Sequence, residues 1–201
     1  MSGGTLPTVS VPAQVQIRSM QPTRTSSSHS LKDQSRTRGA QRFGFKFVWP
    51  PLKRADWAPL YGFFLSQRGQ ADTFTATIPG MTAPLGTWLG SPVVNGAGQT
   101  GRVVSLRGLT VSQAAAAKVG DLLKFAGHTK VYMVTADAAS NVSGIASVTI
   151  EPALLAAVAD AEAVTVNSVP FTFKRAADNF DSTMEVGGIY AGLEADLVES
   201  W

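Results

Sequence analysis

The sequence is poor in the residues on which most enzymes and metal proteins depend. It contains no cysteine, which excludes a disulfide framework, thiolate metal sites and cysteine nucleophiles. It has two histidines, His29 and His128, so a histidine-rich metal site would have to be completed by carboxylates. No stretch approaches the roughly 18 apolar residues of a membrane helix. The start, "MSGGTLPTVSVPAQVQIRSM", lacks the basic then apolar regions of a signal peptide. A soluble, intracellular chain without membrane insertion is expected. There is no G-x-S-x-G nucleophile turn. The glycine-rich "NGAGQTG" lacks the Lys-Ser/Thr of a phosphate loop and a strand-to-helix context.

What is present is β-structure. At 201 residues and 44% apolar content, the chain can bury a core as one good-sized domain or two small ones. In "QRFGFKFVWPP", Phe43, Phe45, Phe47 and Trp49 fall on one face, with Arg42, Gly44, Lys46 and Val48 on the other. That period of two predicts a half-buried strand, ended by Pro50 and Pro51. "KRADWAPLYGFFLSQRG" then switches to helical spacing, with Trp57, Leu60, Tyr61 and Phe64 on one face. A helix of about 54–68 is expected, capped by Asp56, with Pro59 in its first turn and Gly69 as its stop. "QVQIRS" and "DTFTATI" read as strands. The polar "QPTRTSSSHSLKDQSRTRG" reads as a loop followed by an exposed strand.

Residues 1–12 read as a flexible or extended N-terminal arm. The Gly/Pro-rich 79–101 reads as a linker or β-arm. Five short strand-like runs over 102–168, with turn signals every 8–12 residues, predict a small inserted barrel or sandwich. Within it "SQAAAAKVG" reads as a helical turn, and "LLAAVADAE" is open between helix and loop. The final segment returns to strand pattern, with Leu193, Ala195 and Leu197 opposite Glu194 and Asp196, and should pair with "QRFGFKFVW". The expected fold class is mainly β, with a minor α+β character. It has a β-sandwich or split-barrel core, made of 13–78 plus 169–201 with one packed helix, and an inserted small β-barrel-like domain at 102–168.

Charge is unevenly spread. Residues 1–75 hold ten Lys/Arg and three Asp/Glu, a balance of +7, whereas residues 76–201 hold seven and eleven, a balance of −4. No Lys/Arg cluster is interleaved with stacking aromatics, so no specific nucleic-acid partner is expected. The asymmetry instead suits a basic face that is solvated or meets an acidic face of a neighbouring subunit.

No catalytic constellation stands above background, and no cofactor or metal is expected. His128, near Asp121 and Asp137, is the best candidate for a hydrolase base, but its place beside Gly127 predicts a polar residue at a hairpin tip. His29–Ser30 has only Asp33 as an acid neighbour. The carboxylate pairs Asp160/Glu162, Asp178/Asp181 and Glu194/Asp196 are close in sequence but support glycoside hydrolysis poorly; the last pair shares one strand face, which could equally be solvated or meet a basic neighbour. "DNFD" lacks the ligand spacing of an EF-hand loop.

"SLKDQSRTRGAQRFGFKFVWPPLKRADWAPLYGFFLSQRGQADTFT" resembles the distal tail and minor tail protein group of tailed bacteriophages, above all in the Q-R-G after an aromatic helix. "VGDLLKFAGHTKVYMVTADAASNVSGIASVTIEPAL" resembles a β module that recurs in phage virion proteins. The resemblance implies a non-enzymatic structural protein at the tail tip, located in the virion and assembled in the host cytoplasm. It implies a homo-oligomeric ring, six-fold, that joins the tail tube or nozzle to the hub or receptor-binding fibres, with the β module as a peripheral insertion. It carries no catalytic residues. Charge complementarity then places a candidate subunit interface at Arg36, Arg38, Arg42 and Lys46 on the basic side and at Glu194 and Asp196 on the acidic side. The rival readings are a carbohydrate- or receptor-binding module, with Trp88, Tyr132 or Trp201 as stacking platforms, and a hydrolase centred on His128.

Overall fold

The computed structural model describes residues 2–37, 39 and 41–201. Its strands are β1 (Ser2–Thr5), β2 (Gln14–Met20), β3 (Thr23–Ser27), β4 (Asp33–Thr37), β5 (Arg42–Val48), β6 (Leu52–Lys53), β7 (Thr73–Ala76), β8 (Gly90–Val94) and β9 (Val103–Leu109). They continue with β10 (Leu122–Phe125), β11 (Tyr132–Ala136), β12 (Ala146–Glu151), β13 (Val164–Thr165), β14 (Phe171–Arg175), β15 (Thr183–Glu185), β16 (Ile189–Ala191) and β17 (Glu194–Glu199). The helix, α1, spans Arg54–Ser66 between β6 and β7. The protein is mainly β.

The first six-stranded sheet has the order β1-β7-β14-β17-β5-β2. The alternation read in β5 is realised: Phe43, Phe45, Phe47 and the following Trp49 are buried. The terminal strand β17 lies antiparallel beside β5, with Ala195 opposite Phe47 and Leu197 opposite Phe45. From β14, Phe171 and Phe173 stack on each other at 5.4 Å between ring centres, and Phe45 meets both edge-on at 5.1 and 5.4 Å. Such tilted contacts set the positive ring edge against the negative face. Helix α1 presses Leu60 and Phe64 into this aromatic layer, with Trp57 and Tyr61 at its margin.

Asp56 does not cap the helix. The N-cap is Lys53, without a side-chain cap bond, and Asp56 lies in the first turn. The reason is that the chain enters α1 directly from the short strand β6, whose pairing with β16 positions the helix start. Pro59 consequently falls inside the helix rather than in its first turn, where it removes one backbone hydrogen bond.

The second six-stranded sheet has the order β13-β10-β11-β12-β9-β8. Its outer strands approach each other through a Val93–Ala163 bridge, so the sheet is a nearly closed barrel. Its core contains Val94, Leu106, Phe125, Tyr132, Val148 and Ile150. Gly108 has a positive φ of 82°, and a Cβ there would lie 2.4 Å from the Ser91 carbonyl. Only glycine allows β8 and β9 to approach so closely.

The structure decides some local expectations that the sequence left open and corrects others. Within the N-terminal arm, Ser2–Thr5 pairs parallel with β7, and Gln67 Nε2 donates to the Gly3 carbonyl. The stretch read as a linker or arm contains β8, a full member of the barrel sheet. "SQAAAAKVG" forms turns, not helix, and "LLAAVADAE" is loop. The polar segment after β2 is a complete hairpin, β3–β4, rather than a loop and one strand.

Candidate assembly surfaces

The outer face of the first sheet carries a ladder of charges. Strand register places Lys46 beside Asp196, and Gly44 between Arg18 and Val198. Without a side chain at Gly44, Arg18 reaches across β5 to the Asp196 carboxylate. Lys46 pairs with Glu194 on the same face, and the Glu194 hydrogen bond raises the Lys46 pKa above its ordinary value. Both acidic candidates therefore already hold one cation within their own subunit, and both remain 45% exposed at the side chain. Such exposed, solvent-screened pairs hold their partners weakly, so they leave the carboxylates available to a further partner.

Of the described basic candidates, Arg42 and Lys46 lie on β5 and Arg36 on β4. Arg42 stands over the Trp201 ring at 4.7 Å. Arg36 is on the β3–β4 hairpin, directly opposite Arg24. Arg38 lies outside the described residues. Sequence reading had no means of finding the Arg24–Arg36 rung, because it follows from a hairpin register that few β-branched or apolar residues announce.

A second charged feature joins the two sheets. Glu199, at the end of β17, is fully buried and accepts from Lys130 Nζ, from the Val131 amide at 2.9 Å and from the Phe43 amide at 3.2 Å. Lys130 is 1% exposed. Its ammonium stands 4.6 Å from the Phe43 ring centre and 5.1 Å from that of Trp201. Burial pushes the Lys130 pKa down, and Glu199 opposes the shift. Leu122 and Val131 of the barrel segment enter the core cluster of the first sheet, and Lys124 Nζ donates to the Pro170 carbonyl.

Several other acids hold loops in place. Asp121 is buried and accepts from the amides of Leu85, Gly86 and Lys118 and from the Trp88 indole at 2.7 Å. Asp137 accepts from the Val119 amide. Asp160 accepts from the Gly96 amide and pairs with Arg107, and Glu162 accepts from the amides of Gly127 and Ala159. Asp178 accepts from the Gln70 amide. Among the described residues no group of three or more His, Asp or Glu is placed to hold a metal.

His128 does sit at the tip of the β10–β11 hairpin. Its ring nitrogen Nδ1 lies 2.9 Å from the Tyr132 hydroxyl, whereas Asp121 and Asp137 face the loop amides above. His29 and Ser30 occupy the exposed β3–β4 turn, and Asp33 accepts from Ser27. Two of the three aromatics considered for sugar stacking are withdrawn from solvent: Trp88 is 5% exposed and Tyr132 0%. Trp88 lies in the Gly/Pro-rich stretch before β8 and Tyr132 starts β11, and neither local pattern distinguishes a core ring from a surface one. Trp201 is 43% exposed, but cations already stand against its ring.

Residues 82–169, which include β8 to β13, match the family model described as distal tail protein pb9, B domain. The chain is also 27% identical over 164 residues to the distal tail protein pb9 of Escherichia phage T5, covering 80% of this chain and 78% of that protein. Most of this chain is thus similar to a distal tail protein of a tailed bacteriophage, and its barrel segment, residues 82–169, to the B domain of that protein.

Proposed function

We propose that the protein is a structural subunit of a phage tail tip, forming a ring of identical copies that joins the tail tube or nozzle to the hub or receptor-binding fibres. The similarity to a distal tail protein over four-fifths of the chain is the observation that carries this reading. The physical features agree with a part that assembles. Strands β1 and β2 are the two outer strands of the first sheet, and each offers a row of backbone groups to a neighbour. The β3–β4 hairpin exposes every residue of both strands, although an isolated two-stranded hairpin is only marginally stable in water. Contact between two different surfaces of identical subunits closes into a ring when the rotation allows.

In this reading the discontinuous unit of 13–78 plus 169–201 forms the ring. The inserted 102–168, together with β8 from the 79–101 segment, forms a peripheral module held by the Lys130–Glu199 seam. The subunit interface draws on Arg36, Arg38, Arg42 and Lys46 from one copy and on Glu194 and Asp196 from the next. Assembly takes place in the host cytoplasm, and the role needs no catalysis.

Native mass spectrometry of the purified chain over a range of concentrations tests the reading. A single closed stoichiometry, six copies on the resemblance, is the expected result. A chain that remains monomeric at high concentration, alone and with the other tail proteins, would overturn it.

A further inference from the structure

The β3–β4 hairpin contains a feature that a free surface has little reason to keep. In its register Arg24 lies directly opposite Arg36, between the Thr23–Thr37 and Thr25–Ser35 pairs. Like charges directly opposite in a strand pair are destabilising. Among the described residues no carboxylate forms an ion pair with either guanidinium. Asp33, the acid within the hairpin, is paired in register with Ser27. Ser26 and Gln34, paired in register, share the face of the two arginines, which adds hydrogen-bonding groups beside a paired cation.

A complementary surface exists elsewhere on the chain. A cleft of about 230 Å³ is bordered by Asp181, Glu194, Asp196 and Arg175. Arg175 is 4% exposed and turns its guanidinium to the backbone carbonyls of Asp178 and Asn179, so among the described residues it forms no ion pair with the carboxylates of the cleft. Asp181 is exposed and has only the Asn179 amide beside it. Glu194 and Asp196 each bind one cation, and a carboxylate has about four acceptor positions. A planar guanidinium is the cation best shaped for such a site.

We infer that the Arg24–Arg36 rung of one copy seats in the Asp181/Glu194/Asp196 cleft of a second copy. The inference rests on the reading of the chain as self-assembling, and it names the contact that closes the assembly. The rung and the cleft are different surfaces, so the contact is head-to-tail, as a ring requires. A protein partner suits the hairpin better than nucleic acid: residues 21–37 contain no Phe, Trp or Tyr on which bases could stack. Its extended, Ser/Thr-rich strands are instead suited to lie along another protein face.

The test compares the full-length wild type with R24E/R36E and with the charge-swapped R24E/R36E/D181R by sedimentation velocity at low and high salt. The wild type should assemble, more weakly as salt rises. R24E/R36E should assemble at least about tenfold more weakly, as the loss of close charge pairs across an interface does, and D181R should restore part of that loss. Near-UV circular dichroism should be unchanged, because the substituted side chains are exposed. Assembly of R24E/R36E at wild-type strength overturns the inference while leaving the ring reading intact. So does a loss that D181R fails to restore. If R24E/R36E assembles normally but no longer binds a duplex oligonucleotide that the wild type binds, the rung serves nucleic acid and the inference is wrong. A wild type that never assembles overturns the ring reading itself, and this contact with it.

Discussion

The Lys130 ammonium and the Glu199 carboxylate, far apart in sequence, form an ion pair almost without solvent access where the barrel meets the first sheet. Glu199 also accepts two backbone amides, one from β5 and one from the segment entering β11, so a single carboxylate ties both sheets together. Removing one partner of a buried pair leaves the other uncompensated. Lys130→Met should therefore cost about 3–5 kcal/mol in urea unfolding, and Glu199→Leu a similar amount. Joint replacement of Lys130 by Met and Glu199 by Leu should cost clearly less than the sum of the two. Additive losses would show that the two residues do not act as a pair.

Asp121 predicts a second large loss. Its carboxylate receives three loop amides and the Trp88 indole. Asp121→Ala leaves those donors without a partner in a buried site and should cost about 3 kcal/mol or more. Trp88 should report the change as a red-shifted fluorescence, since its indole would gain access to water. Asp121→Asn should recover part of the stability, because its one carbonyl oxygen can still accept. Equal losses in the two variants would mean that space, not hydrogen bonding, decides this site.

Much of the first sheet was legible in the sequence because its signal is strong and local. Four aromatics at a period of two could only be a half-buried strand, and the helical spacing from Trp57 to Phe64 marked α1 to within two residues at its end. The pairing of β17 with β5 was legible because both strands alternate and their charges complement. What escaped depends on distant contacts. Ser2–Thr5 has almost no side-chain pattern and becomes a strand because β7 offers it an edge. β8 lay hidden in glycine- and proline-rich sequence whose turns surround a real strand. Glu199 is in phase with the inward-facing Ala195 and Leu197, but only the arrival of Lys130 from the inserted module makes a carboxylate tenable there. Trp88 and Tyr132 looked like accessible platforms because burial is a property of the closed barrel and not of the segment.

Acid sensitivity should pass in part through Asp160. The Gly96 amide, followed by Arg107, holds its carboxyl below the ordinary value of 3.8. A depressed folded-state pKa contributes stability above the unfolded value, and that contribution is lost as pH falls through the folded pKa. Asp160→Asn should thus be less stable than wild type near neutrality, with the gap closing below about pH 4. A gap that persists unchanged at the lowest pH would assign the effect to packing instead.

The His128 tip offers a contrast with a catalytic reading. Its Nδ1 contact to the Tyr132 hydroxyl is a single partly buried hydrogen bond. His128→Ala should cost about 1 kcal/mol in thermal unfolding and leave assembly unchanged. Abolition of a hydrolytic activity by this substitution would require a different account of the loop.

The most direct measurement of the central claim is a reconstruction of the purified virion in which this chain is located by its fold. The account predicts a closed ring at the distal end of the tail, with the first sheet and the β3–β4 hairpin at the contacts between copies and the barrel at the periphery. Density for the chain elsewhere in the particle, or a virion that lacks it altogether, would contradict the account.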